Sequence, residues 1–154
     1  MEKLFVLGMM IGLFLFASMI TTLLYVFKSF AHMKALNALG YDKAWLAWIP
    51  FVIYYGLADA VCGNEKKVTL FGKIEIPSIL FKLWWVLSLV LFFLYFNTGK
   101  YSLIIKLLNI VFLGCTYAKM YARLYGKTEK KMQILGCISG YIPFIASCKF
   151  ITIK

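Results

Sequence analysis

WLAWIPFVIYYGLADAV, Trp45 to Val61, is the stretch on which the reading of this chain turns. It is apolar throughout, with Pro50 near its middle and a single acid, Asp59, near its end. Proline lacks an N–H and disfavours helix in the residue before it. About five residues precede the break and about eleven follow, so neither half crosses a bilayer alone at about 1.5 Å per residue. Interrupted backbone survives at membrane depth only where protein or water satisfies the freed groups. The stretch therefore predicts a proline-broken membrane segment that depends on its neighbours.

Working outward, a related run closes the chain: GCISGYIPFIASCKFITI, Gly136 to Ile153. Both runs carry Ile-Pro-Phe after an aromatic residue, Trp48-Ile49-Pro50-Phe51 and Tyr141-Ile142-Pro143-Phe144. Each follows a long apolar segment that ends in a basic tail and a glycine. The tails are FAHMKALNALG, Phe30 to Gly40, and YAKMYARLYG, Tyr117 to Gly126. One reading is a degenerate internal repeat, with units 4–63 and 101–154 linked by segment 79–96. The other is two unrelated membrane segments of similar composition.

The 154 residues are 63% hydrophobic, with a mean hydropathy of +0.85. That is far above an ordinary soluble domain. Several runs approach the length needed to span a bilayer. The class expected is an all-α integral membrane protein with three to five hydrophobic helical segments, two of them proline-broken, in a single membrane domain, 1–154. The net charge of +11 comes from Lys and Arg clustered in short loops beside apolar runs. That placement encodes topology and suits anionic headgroups of the lipid bilayer; nucleic acid is not an expected partner.

The apolar run after Met1-Glu2-Lys3 continues to about Phe27 with no small-x-small cleavage site, so it reads as a retained span and not a signal peptide. Gly8 and Gly12 form a GxxxG pattern that lets a neighbouring backbone approach. The helix is expected to continue through Lys28, His32 and Lys34 to a C-cap near Gly40. Cys62 to Ser78 is the longest polar stretch. It reads as a plain loop, with a small hairpin about Gly72 as the alternative. Pro77 then opens a third segment, Ile79 to Phe96, with Trp84-Trp85 near one end and Tyr95 at the other, as interfacial belts require. A tight turn is expected at 97–100. Segment four, Tyr101 to about Met120, carries Lys106 and Asn109. Lys127 to Lys131 reads as a basic loop, and segment five, 134–153, holds a second GxxxG, Gly136 and Gly140, just before Pro143.

If the two broken segments dip in and return, all basic loops and the C-terminus share one side. Positive-inside then places that side in the cytoplasm of a bacterial-type membrane and the N-terminus outside. The rival is five full spans with inverted repeats, as in transporter folds.

Ionisable groups at membrane depth are functional suspects. Asp59, Lys82, Lys106 and Lys149 qualify. Asp59 can pair with Lys82 or Lys106, although both lysines lie close enough to a segment start to snorkel. Asn109, three residues after Lys106, shares its helix face. The four cysteines form no CxxC, and His32 is the only histidine, so zinc and redox spacings are absent. No Ser/His/Asp order, HExxH or phosphate-binding glycine loop occurs. No metal, cofactor or catalysis is expected.

The pattern of a basic helix end, a glycine, and then Trp45-Leu46-Ala47-Trp48-Ile49-Pro50-Phe51 resembles a bacterial family of small multi-span membrane proteins of unknown function. The run from Ala118-Lys119 to Tyr125-Gly126-Lys127 shares the likeness. In that family an Asn often follows the Ile-Pro-Phe/Tyr closely, where this chain has Val52-Ile53. The resemblance implies architecture and no activity. The function expected is assembly, as a homo-oligomer or a small subunit of a larger membrane complex. The alternative is an oligomeric pore, carrier or membrane-permeabilising effector lined by the broken segments.

Overall fold

A computed structural model describes residues 2–98 and 102–153. The expected turn at 97–100 runs into residues outside that set, as does the side chain of Tyr95.

The chain opens with α1, Glu2–Ala38, 37 residues and about 55 Å long at 1.5 Å per residue. A 3₁₀ helix, Ala44–Trp48, leads to the break at Pro50, and α2 follows as Val52–Cys62. Strands β1, Lys67–Leu70, and β2, Ile74–Pro77, pair antiparallel. The polar stretch is thus a hairpin and not the plain loop favoured from sequence. Val68 and Leu70 alternate inward, and the turn closes through Lys73 N–H to Leu70 O at 3.0 Å. Phe71 and Gly72 both take positive φ there, the backbone that hairpin connections favour.

Next come α3, Ser78–Thr98, and a continuous helical run of α4, Ser102–Leu108, a π-helical turn, Asn109–Leu113, and α5, Gly114–Tyr125. Helix α6, Glu129–Tyr141, meets α7, Pro143–Ile151, at a bend of 119°. Lys130 and Lys131, expected in a loop, lie in the first turn of α6.

The fold is all-α apart from this hairpin. Among the described residues two helices, Val6–Ala38 and Leu103–Tyr125, are long and apolar enough to cross a membrane. The bent α6–α7 pair raises that number to three if it counts as one span. Of the three to five hydrophobic helical segments expected, these two or three pass that test, while Val52–Cys62 and Ser78–Leu94 are apolar but shorter.

Gly40 and Gly126 close the two long helices in the same way. Both take left-handed backbone, φ 71° and 61°. In both, the next N–H reaches back five residues: Tyr41 to Leu36 O and Lys127 to Ala122 O, each at 3.0 Å. This is the Schellman geometry, which satisfies end carbonyls and needs a residue free of the Cβ penalty.

The core lies at one end of the molecule. The last turns of α1 contribute Ala31, Ala35 and Leu36. They pack against Leu57 of α2, Tyr117 and Tyr121 of α5, and Phe150 of α7. By contrast, every residue from Val6 to Leu24 is exposed, on all sides of α1. Much of α3 beyond Trp85 and of α4 is exposed as well. The chain is a packed body from which apolar helices project.

Candidate functional site at the proline breaks

Both Ile-Pro-Phe motifs reach the same region of α1. Tyr25 donates its hydroxyl to Trp48 O, just before the first break. Two residues on, the Phe27 ring packs at a tilt against Phe144 of the second break, with ring centroids 5.5 Å apart. The breaks are built differently. At the first, Phe51 takes φ 65° and ψ −43°, and Val52 N–H bonds to Pro50 O at 2.8 Å. This is a γ-turn of the rare positive-φ kind. It supplies an acceptor for an N–H that the proline break would otherwise free. At the second, Pro143 takes the first position of α7, where its missing N–H has no helical partner to lose.

Asp59 lies toward the C-terminal end of α2, away from the Pro50 tip. Its Oδ1 is 2.6 Å from Lys82 Nζ of α3, and its Oδ2 accepts from the Tyr41 hydroxyl at 2.7 Å. Lys82 also donates to Gly63 O at 3.2 Å, so it ties α3 to the end of α2 twice. The two charged side chains are each 20% exposed, so the pair is partly shielded and still wetted. Burial pushes the Asp59 carboxyl up, but hydrogen bonds from Lys82 and Tyr41 and the nearby charges outweigh it and hold it below its ordinary value. Burial, reinforced by the hydrogen bond and charge of Asp59, pushes the Tyr41 phenol well up.

The structure brings Asp59 and Lys82 together, and it places Lys106 and Asn109 elsewhere. These two line a cavity of about 290 Å³ with Tyr54, Gly140, Tyr141 and Pro143. Tyr54 also accepts from Lys28 Nζ at 3.3 Å. Lys149 is exposed on α7, and its carbonyl accepts from the Tyr125 hydroxyl at 3.3 Å.

The two GxxxG patterns sit in opposite settings. Among the described residues, nothing lies within 4 Å of a Cβ built on Gly8 or Gly12. A Cβ on Gly136 would meet Ala118 Cβ at 2.6 Å, and one on Gly140 would meet Gly114 N at 2.7 Å. Helix α6 thus packs backbone to backbone on α5, beside the π-helical turn.

Several polar partners carried no clear sequence signal. His32 is fully buried, with Nδ1 2.7 Å from Lys28 O and Nε2 2.8 Å from the Tyr117 hydroxyl. The carbonyl can only accept, so Nδ1 carries the proton and Tyr117 donates to Nε2. Lys119, in the basic tail Tyr117 to Gly126, is buried and held by both carboxylate oxygens of Glu129 at 2.9 Å. Among the described residues, no group of three or more His, Cys, Asp or Glu could hold a metal ion.

No family model, curated protein or solved structure matches this chain.

Proposed function

We propose that this is a polytopic membrane protein that works through assembly, with itself or as a small subunit of a larger membrane complex. The observation that carries the reading is α1. From Val6 to Leu24 it is exposed on every side, and its Gly8 and Gly12 face has no neighbour among the described residues. Lipid satisfies such a helix, and a small-residue face adds a surface on which another helix packs closely. In this reading α1, α3 and the α4–α5 run cross the bilayer, and the two proline breaks dip in from the basic, cytoplasmic side of a bacterial-type membrane. The test is native mass in nanodiscs. The parent should run as an oligomer or co-purify with a partner, and Gly8→Leu with Gly12→Leu should lower the mass. A monomer in both would remove the reading.

The second reading is a pore or carrier made of several copies. The cavity beside Lys106 and Asn109, at the second break, favours it. Ion flux through purified protein in liposomes tests it directly.

A further inference from the structure

A cleft lined by α2, α3, α4 and the π-helical turn continues to the bend between α6 and α7, and its two chambers share Tyr54 and Asn109. The first, about 200 Å³, is lined chiefly by Phe51, Trp84, Trp85, Leu89, Phe92 and Ile105. The second, about 290 Å³, presents Lys106 together with the two shared residues. Together they fall in the size range of ordinary small-molecule sites, about 300–1,000 Å³. The first chamber is chiefly aromatic and aliphatic; the second sets Lys106, Asn109 and two tyrosines beside Leu113 and Pro143.

The polar groups are strongly biased toward donation. The indole N–H groups of Trp84 and Trp85 are buried, so these two side chains offer the first chamber no polar atom, while the accessible polar groups of Tyr54, Lys106 and Asn109 lie toward the second. Tyr54 accepts from Lys28, which leaves its own O–H to donate. Lys106 has no ion-pair partner among the described residues, and no carboxylate there lines either chamber. Asp59, Glu75 and Glu129 are engaged with Lys82, Lys67 and Lys119. Its lining includes the exposed residues Phe51, Phe92, Lys106 and Tyr141, so the cleft is open to the surroundings of the body.

We infer that this cleft binds an anionic amphiphile. Its acyl chain lies in the Trp84–Trp85–Phe51 chamber, and its phosphate or carboxylate head accepts from Lys106, Asn109 and Tyr54. An ammonium beside a phenol and an amide suits a head with several acceptor oxygens. An apolar chamber contiguous with it selects a ligand with a tail. The π-helical turn at Asn109–Leu113 lies beside this site, as such turns often do at functional positions. The inference does not depend on whether the chain assembles.

The test uses the full chain in neutral detergent with equimolar phosphatidylglycerol and phosphatidylcholine, read by native mass spectrometry. The first lipid retained should favour phosphatidylglycerol several-fold. Lys106→Met should bring that ratio near one, Lys106→Arg should keep it, and Lys67→Met, on the distant hairpin, should leave it unchanged. Ser88→Leu, which fills the apolar chamber without changing charge, should reduce retention of both lipids, and it serves if Lys106→Met fails to fold. A ratio near one in the parent, or a ratio untouched by Lys106→Met together with retention untouched by Ser88→Leu, would overturn the site. Thermal stabilisation by inorganic phosphate alone, equal to that by phosphatidylglycerol, would overturn the amphiphile and assign the pocket to a soluble anion.

Discussion

Lys82 Nζ lies 2.6 Å from Asp59 Oδ1, so the start of α3 is clamped to the C-terminal end of α2. The chain between them forms the hairpin, and the clamp closes that excursion. Asp59→Ala leaves Lys82 without its carboxylate and Tyr41 without its acceptor. The expected cost is about 1–3 kcal/mol, between the surface and fully buried limits for ion pairs. Asp42→Ala should cost little. Asp59→Asn with Lys82→Met should recover part of the loss, while Asp59→Asn with Lys106→Met should not. Thermal melts in detergent decide among these outcomes.

The same cluster gives two opposite pH limbs. Asp59 has a folded-state pKa below its unfolded value, so its contribution is full above about pH 3.9 and is lost as pH falls through the lower folded value. Tyr41 is raised when folded, so its contribution is full below about pH 10 and is lost as pH rises through the higher folded value. Asp59→Asn should flatten the acid limb of stability against pH. Tyr41→Phe should flatten the alkaline limb. Unchanged limbs in both variants would show that the cluster does not couple to folding.

Gly136→Ala should destabilise the fold, because its methyl group has Ala118 Cβ and neighbouring backbone in its place. Overpacking of a close contact costs about 1–3 kcal/mol, and more where backbone must move. Within a single chain Gly8→Ala meets nothing among the described residues, so it should leave the melting temperature of the detergent-dispersed monomer unchanged. Equal melting temperatures for both variants would mean that α5 and α6 can separate at no cost.

Topology is open to chemical labelling. In a background with Cys62, Cys115, Cys137 and Cys148 replaced, single cysteines at Glu2 and Thr98 should react with an impermeant thiol reagent from outside. Cysteines at Lys67 and Thr128 should be protected until the membrane is opened. Labelling of Lys67 from outside would restore the five-span arrangement.

The sequence was most informative where one residue type answers one backbone need. Gly40 and Gly126 mark helix ends because left-handed backbone favours glycine. Pro50 and Pro143 mark breaks because proline cannot donate. The hairpin was less legible. Its turn places Phe71, and not Asn or Gly, at a positive φ, so the usual sequence signal is missing. Pairings were the hardest to read. Asp59 faced two lysines in the sequence, and only the path of the hairpin brings Lys82 back beside it. Lys119 with Glu129 was hidden because Glu129 looked like part of a basic loop. The Trp84–Trp85 pair read as an interfacial belt, although Trp85, Ser88, Leu89 and Phe92 follow the i, i+3, i+4, i+7 spacing of a single helix face, and that spacing could have drawn attention to a shared lining.

The outer part of α1 has one further consequence. Since Val6 to Leu24 touch little of the rest of the chain, the fold places almost no demand on which apolar residue stands at each position. Substitution tolerance along those positions therefore records the surroundings alone. If apolar exchanges are accepted at every angle around the axis, the helix is bathed in hydrocarbon. If refusals recur every three to four residues along one stripe, that stripe traces the footprint of whatever the helix meets.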